Sequence, residues 1–133
     1  VRLDRILHKW EKLGQVFEIS KHQQSPWMME YCQAPNAIEL DSCIRVFFST
    51  RSSREDDGTY VSSIAYVDVD KGDPTKIISI AKHPVLTPGP LGSFDEHGVY
   101  PLSVAQVDDQ IMGLYGGWSR PTSVPFEVSI GLV

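Results

Sequence analysis

Residues 92–118 read GSFDEHGVYPLSVAQVDDQIMGLYGGW, and this stretch is the clearest indication of the fold class. A proline-led run, VYPLSVAQV, meets a second run, IMGLYGGW, across the acidic pair Asp108-Asp109. Two strand-like runs separated by two turn-forming residues indicate a β-hairpin. The stretch therefore predicts two antiparallel strands, and FEVSIGLV near the end of the chain predicts a third.

An earlier hairpin has the same order of features. AIEL and CIRVFFST flank Asp41-Ser42, and two further strand-like runs follow, TYVSSIAYVDVD and TKIISIA, joined by a Gly/Pro turn. The two hairpins can be aligned residue by residue, with an offset that is one residue larger after the hairpin turn than before it. The matched residues are Pro35 with Pro101, Ile38 with Val104, Phe47 with Leu114, and Phe48 with Tyr115. Repeated four-stranded meanders are typical of propeller blades. We expect an all-β fold: a partial β-propeller of about two four-stranded antiparallel blades, the second incomplete.

The flanking segments complete this organisation. Residues 2–13 carry apolar side chains at helical spacing, which predicts a short N-terminal helix or arm, and GQVFEIS at 14–20 predicts a strand. HPVLTPGPLGS at 83–93 holds three of the nine prolines and predicts an irregular loop. We expect a single domain, 1–133, with an N-terminal arm at 1–30, a first blade at 31–85 and an incomplete second blade at 86–133.

Composition narrows the function classes. The net charge is -5 and no basic cluster occurs, which argues against nucleic-acid binding. No apolar run approaches the roughly 20 residues that span a bilayer, and no signal peptide is recognisable. Cys32 is expected opposite Arg51 and Cys43 near the hairpin turn, so two unpaired thiols and a cytoplasmic location are expected. No Cys/His spacing resembles a metal site, and no cofactor is expected.

Several motifs together resemble a known family. The chain resembles the N-terminal half of bacterial five-bladed β-propeller proteins related to glycosidase families 32, 43 and 130. The motifs that carry the resemblance are HKWEKLG, PWMMEYCQAPNAIEL, RVFFSTRSS, the stretch at 92–118 and VPFEVSIGL. The resemblance covers nearly the whole chain and is most specific at 94–99, Pro101 and 115–118. It implies a ligand site at the axial end of a propeller, lined by the starts of the innermost strands, and an extended conformation at 9–18.

The chain departs from this family where the chemistry is expected. The family carries an aspartate beside the proline at the head of the first blade, as base or nucleophile, but here that place reads Gln33-Ala34-Pro35-Asn36. The general acid that the resemblance implies for a later blade has no counterpart in these residues. We therefore expect a glycosidase-like half-propeller that binds carbohydrate without catalysis. Two alternatives stay open: a glycoside hydrolase or phosphorylase active only as an assembled oligomer, and a structural or protein-interaction module.

The carboxylates allow one catalytic candidate. Glycoside hydrolysis usually needs two positioned carboxylates. Asp95 and Glu96 are adjacent, so in an extended segment their side chains point to opposite faces and do not flank one bond. Asp95 is the best single candidate, although it equally suits a residue that caps its loop.

The expected ligand-binding residues are Gln33, Asn36, Arg51, Asp95, His97 and Trp118. Each also has a structural interpretation. The two amides could form strand-end hydrogen bonds, and Arg51 could form an ion pair with Asp56 or Asp57. His97 could be an exposed loop residue, and Trp118 and its neighbour Tyr115 could pack in the core. Unpaired blade edges must be covered, so we also expect a homo-oligomer.

Overall fold

The computed structural model describes residues 10–22, 25–53 and 58–133, and this part of the chain is all-β, as the sequence predicts. It contains a single short 3₁₀ helix at Ile19–Lys21, and no described helix is long and apolar enough to cross a membrane. The strands are β1 Glu30–Glu39, β2 Ile44–Arg51, β3 Ser62–Val69, β4 Ile77–Ile80, β5 Gly98–Val107, β6 Gln110–Ser119 and β7 Glu127–Leu132.

The strands form two antiparallel meanders within one curled sheet. In the first meander, β1 to β4 pair in sequence order; in the second, β5 to β7 do the same. The meanders join through a parallel pairing of Ser62 in β3 with Gly98 in β5. Asn36 of β1 also donates a hydrogen bond to the carbonyl of Pro101 in β5, so the first strands of the two meanders lie side by side.

The repeat is present in the strand register, with a correction to the predicted alignment. Asn36 pairs with Phe47 in the first hairpin, and Ser103 pairs with Leu114 in the second, so both strands of the hairpin repeat at the same spacing. The predicted matches of Pro35 with Pro101 and of Ile38 with Val104 were therefore wrong by one position. Both hairpins contain a bulge in the first strand, between Gln33 and Asn36 in the first hairpin and between Pro101 and Ser103 in the second. When the two bulges are aligned, Pro101 corresponds to Ala34.

The third strands repeat as well. Ser49 pairs with Ile64 in the first meander, and Gly116 pairs with Ile130 in the second. Because Gly116 is the counterpart of Ser49, Ile130 is the counterpart of Ile64. Within the described ranges β7 pairs only with β6, whereas its counterpart β3 also pairs with β4.

The first meander is apolar on both faces because its strands alternate between two hydrophobic cores. One face packs Phe48, Ala65 and Val67 beneath Ile19 and Met28. The other face packs Phe47 and Ile64 against Val99, Val104 and Tyr115 of the second meander. The phenyl rings of Phe47 and Phe48 therefore lie on opposite faces, as the two-residue period of a strand requires.

Within the described residues, the N-terminal segment contains neither the predicted helix nor the predicted strand, and the alternative of an arm stays open. Residues 1–9 lie outside the described residues; residues 10–18 have no regular structure, so the helix expected over 2–13 does not extend there, and 14–20 is not a strand. Phe17 and Ile19 instead pack onto the face of the first meander that carries Phe48, which buries apolar side chains without forming a ladder.

The cysteines are both free, as predicted, with Cys32 exposed and Cys43 buried. The expected register was wrong in detail: Arg51 pairs with Glu30, because a further irregularity lies between Glu30 and Gln33. Tyr31 and Ala34 have φ values of 65° and 50° at these irregularities, a conformation that side-chain-bearing residues adopt at a cost.

Candidate functional site

A cleft of about 360 Å³ opens at the end of the sheet where β2 and β6 finish and β3 and β7 begin. Its walls come from both meanders and from the approach to β7. The lining residues are Gln33, Ala34, Ser49, Arg51, Ser62, Tyr100, Trp118, Phe126 and Val128. Three of the predicted ligand-binding residues, Gln33, Arg51 and Trp118, are therefore brought together.

Trp118 is held in a defined orientation. Its indole Nε1 donates a hydrogen bond of 3.1 Å to Ser62 Oγ, which ties β6 to the start of β3. Gly98 makes this approach possible, since a Cβ there would collide with both Ser62 Oγ and the indole nitrogen. The ring is half-buried and lies within 5.0 Å of the Arg120 guanidinium. The tryptophan thus forms a fixed aromatic wall.

Arg51 supplies the positive charge of the cleft. Its guanidinium carbon lies 5.0 Å from the ring centre of Tyr31 and 5.3 Å from that of Tyr60, so two aromatic rings support it. Its Nε is buried and has no hydrogen-bond partner among the residues that the structure describes. No carboxylate in the described ranges forms an ion pair with it. Asp56 and Asp57, the partners considered from the sequence, lie outside the described residues.

The two amides have different places. Gln33 lines the cleft and pairs across the hairpin with Ser49. Asn36 does not line it: its side-chain nitrogen donates to the carbonyls of Ala34 and Pro101, at 3.2 and 3.4 Å. Asn36 therefore holds the first strands of the two meanders together, which is the structural alternative considered for it.

Asp95 is buried beneath the loop that enters the second meander. One carboxylate oxygen accepts from Ser93 Oγ at 2.8 Å and the other from the Tyr115 hydroxyl at 3.2 Å. Burial raises the pKa of Tyr115, and its hydrogen bond to the Asp95 carboxylate adds to this effect. Asp95 thus accepts from side-chain hydroxyls, and it is not among the residues that line the cleft. Its position ties the loop to β6.

His97 and Glu96 lie beside the cleft. The His97 ring centre is 5.8 Å from that of Trp118, and its Nδ1 lies 3.4 Å from Glu96 Oε1, a contact that becomes an ion pair only when the imidazole is protonated. Nδ1 is buried and makes no hydrogen bond to any part of the chain that the structure describes. Glu96 accepts a hydrogen bond from the backbone N–H of Gly92. The His97 ring thus packs beside the Trp118 ring.

Sequence reasoning missed Ser49, Ser62, Tyr100 and Phe126. The correct alignment of the two hairpins would have identified Tyr100, because Tyr100 is the counterpart of Gln33. Arg51 and Trp118 are counterparts in the same way. The cleft is therefore lined by repeat-related positions carrying different chemistry, polar in the first meander and aromatic in the second.

Among the described residues, the lining carries one cation, an amide, three hydroxyls and aromatic rings, and no carboxylate. No group of three or more potential metal ligands occurs in the part of the chain that the structure describes. The arrangement suits hydrogen bonding to an uncharged or anionic polar ligand against an aromatic surface.

Comparisons with known proteins find relatives without assigned activity. Two proteins of Mycobacterium tuberculosis, from the CDC 1551 / Oshkosh and ATCC 25618 / H37Rv strains and both named uncharacterized, are 34% identical to this chain over 124 residues. The alignment covers 92% of this chain but 39% of each relative, so the chain spans about two fifths of the length of these relatives. No family model and no solved structure matches.

Proposed function

We propose that the two meanders are neighbouring blades of a glycosidase-like β-propeller and that the cleft binds a carbohydrate without hydrolysing it. The observation that carries the proposal is the cleft itself, which is lined by an oriented Trp118 together with Arg51 and Gln33.

The blade assignment is supported by topology and by length. The first meander has four antiparallel strands in sequence order, the arrangement of a propeller blade. The second repeats its first three strands, and the first strands of both lie side by side. Two blades of a five-bladed propeller occupy two fifths of it, which agrees with the 39% of each mycobacterial relative that the alignment covers.

The ligand class follows from the residue types in the cleft. An aromatic face stacks on the C–H surface of a sugar ring, and amide, hydroxyl and guanidinium groups hydrogen-bond its hydroxyls. The volume of about 360 Å³ lies at the lower end of the range for small-molecule sites, which suits one or two sugar rings. The strained backbone at Tyr31 and Ala34 lies beside the cleft, where such strain is commonly retained for function.

No carboxylate lines the cleft among the described residues, which favours binding over catalysis. Hydrolysis of a glycosidic bond usually requires an acid and a base or nucleophile on either side of the bond. The carboxylate of Asp95 is engaged by Ser93 and Tyr115 rather than directed into the cleft. In this proposal its role is structural.

Tryptophan fluorescence tests the proposal. The chain has three tryptophans, and Trp118 alone lines the cleft. We expect a panel of neutral and acidic oligosaccharides to include at least one that changes the emission saturably. Trp118→Leu, in which binding is followed by calorimetry because the reporting ring is gone, should abolish binding, and Gln33→Ala should weaken it about tenfold. Trp10→Leu is the matched control, because Trp10 is 92% exposed and does not line the cleft.

Two results would contradict the proposal. Binding unchanged in Trp118→Leu would remove the cleft from the interaction. Release of reducing sugar from a bound oligosaccharide, lost in Asp95→Asn with folding intact, would favour the hydrolase alternative instead.

A further inference from the structure

Arg51 is a cation held in place by uncharged groups. Its guanidinium carbon lies 5.0 Å from the ring centre of Tyr31 and 5.3 Å from that of Tyr60, and these two rings meet edge to face at an interplanar angle of 87°. Aromatic rings attract and orient a guanidinium through their quadrupoles, but they carry no net charge. The two tyrosines therefore fix the Arg51 side chain without neutralising it.

The backbone of β1 bears a cost at this contact. Tyr31 has a φ of 65°, in the left-handed region that side-chain-bearing residues seldom adopt, and it lies where the register shifts between Glu30 and Gln33. Such strain is commonly retained where it positions a functional group. Here it accompanies the contact between the Tyr31 ring and the Arg51 guanidinium.

Arg45, on the same strand as Arg51, is a neutralised arginine. Its guanidinium carbon lies 3.8 Å from the ring centre of Tyr66, and it donates hydrogen bonds of 2.8 and 2.9 Å to the Asp68 carboxylate. Arg51 has the aromatic contacts without the carboxylate. In the ranges that the structure describes no ion pair reaches it, although Glu30 is its cross-strand neighbour. Among these residues its charge therefore stays available to a ligand.

The cleft gives a ligand access to this charge. Arg51 is half-buried in the cleft wall, and a charge partly removed from water attracts an opposite charge more strongly. Its buried Nε–H has no acceptor among the described residues, so the guanidinium has lost hydration that a charged acceptor on its other N–H groups would offset. No described residue of the lining is an anion, so an anionic ligand meets no like charge there.

The charge count favours a carboxylate over a phosphate. One guanidinium matches the single negative charge of a carboxylate and binds its two oxygens through parallel N–H groups. A phosphate monoester carries about 1.5–2 negative charges near pH 7, and the described lining holds no second cation to match them. The Trp118 ring and the Gln33 amide suit the sugar ring that bears the carboxylate.

We propose that the cleft selects acidic saccharides, binding the carboxylate of a uronic-acid unit through Arg51 while the sugar ring stacks on Trp118. This inference rests on the proposed function, and it adds the class of sugar and the residue that selects it.

Matched pairs of ligands test the selectivity on the unaltered chain. Short fragments of pectin, alginate and hyaluronan are compared by calorimetry with their carboxyl-reduced counterparts, in which each carboxylate is replaced by a –CH₂OH group. We expect at least one acidic fragment to bind about tenfold or more tightly than its reduced counterpart, because the reduced sugar lacks the charge-assisted hydrogen bonds. Maltotriose phosphorylated at C6, compared with maltotriose, is the phosphate arm, and we expect a smaller gain there.

Variants assign the selectivity to Arg51. Arg51→Gln should remove the preference, so that the acidic fragment and its reduced counterpart bind alike. Arg51→Lys keeps the charge but not the planar fork, and it should keep part of the preference. Lys82→Gln is the matched control, because it removes the same charge from an exposed position outside the cleft lining, and it should leave the preference unchanged. The ratio of the two affinities is the readout, because a partial loss of folding lowers both affinities alike.

Three results overturn the proposal: acidic fragments that bind no more tightly than their reduced counterparts, a larger gain for the phosphate than for the carboxylate, or a preference that survives in Arg51→Gln. The first and second are measured on the unaltered chain and do not depend on the folding of a variant. Neutral fragments that bind as tightly as the acidic ones overturn this proposal and leave the proposed function standing, whereas a cleft that binds no saccharide overturns both.

Discussion

Arg45 and Asp68 form the most heavily buried ion pair of the described residues, and removing one partner tests how the first meander is stabilised. They are cross-strand neighbours on β2 and β3. Arg45 Nε lies 2.8 Å from Asp68 Oδ1, and Nη2 lies 2.9 Å from Oδ2. Ser79 Oγ donates to the same carboxylate at 2.8 Å, and the guanidinium carbon lies 3.8 Å from the ring centre of Tyr66.

We expect Arg45→Met to lower the free energy of unfolding by about 3 kcal/mol at pH 7, because breaking a buried pair from one side costs about 3–5 kcal/mol when the remaining charge is left uncompensated. The Asp68 side chain is 8% exposed and that of Arg45 is 27% exposed, so water reaches the site and the lower end of the range applies. The double variant Arg45→Met/Asp68→Leu should recover most of the loss, because no charge is then left buried.

The pH dependence gives an independent readout. The hydrogen bonds from Arg45, with a smaller one from Ser79, lower the pKa of Asp68. A carboxyl group with a lowered folded-state pKa stabilises the fold above its unfolded value of about 3.9, and this contribution is lost as the pH falls through the folded value. Urea unfolding of the unaltered chain and of Arg45→Met should therefore converge in acid. A loss below about 1 kcal/mol at pH 7, or a difference that persists unchanged at acid pH, would refute this reasoning.

Two further predictions concern the cleft and its supporting loop. Gly98→Ala should destabilise the fold by about 1–3 kcal/mol and change the emission of Trp118, because the added Cβ collides with the indole nitrogen and Ser62 Oγ; unfolding curves and fluorescence measure both effects, and an unchanged emission would contradict the packing. Tyr115→Phe should cost about 1–3 kcal/mol, since the buried Asp95 carboxylate loses one of its two hydroxyl donors. The raised pKa of Tyr115 contributes stability that is fully present below the unfolded value of about 10 and is lost as the pH rises through the folded value. Unfolding of the unaltered chain should therefore show a loss above about pH 10 that Tyr115→Phe reduces, and equal losses in the two proteins would contradict the assignment.

Much of the fold was predictable because it depends on local chemistry. Alternating apolar residues and two-residue acidic turns predicted strands β2 and β3 and both hairpins. The proline-rich stretch at 83–93 was predicted to be an irregular loop, and it contains no regular strand. The N-terminal segment was harder: Phe17 and Ile19 have strand-like spacing, yet they pack flat on a sheet face, and spacing alone does not distinguish a face from an edge.

The candidate site was predictable only in part. Gln33, Arg51 and Trp118 meet in the cleft, and Asn36 lies outside its lining because a bulge directs its amide to β5. Tyr100 was missed since the alignment of Pro35 with Pro101 shifted the repeat by one position, and such a shift exchanges the two faces of a strand.

The all-β class, the two hairpins and their repetition follow from local sequence, since turn chemistry and two-residue periodicity act between near neighbours. Which face of each strand is buried, where the bulges fall, and that Arg51 and Trp118 share one cleft depend on packing. Those features depend on contacts between residues that are distant in the chain, such as Ser62 with Trp118 and Ser49 with Val99, and they form only when the two meanders pack together.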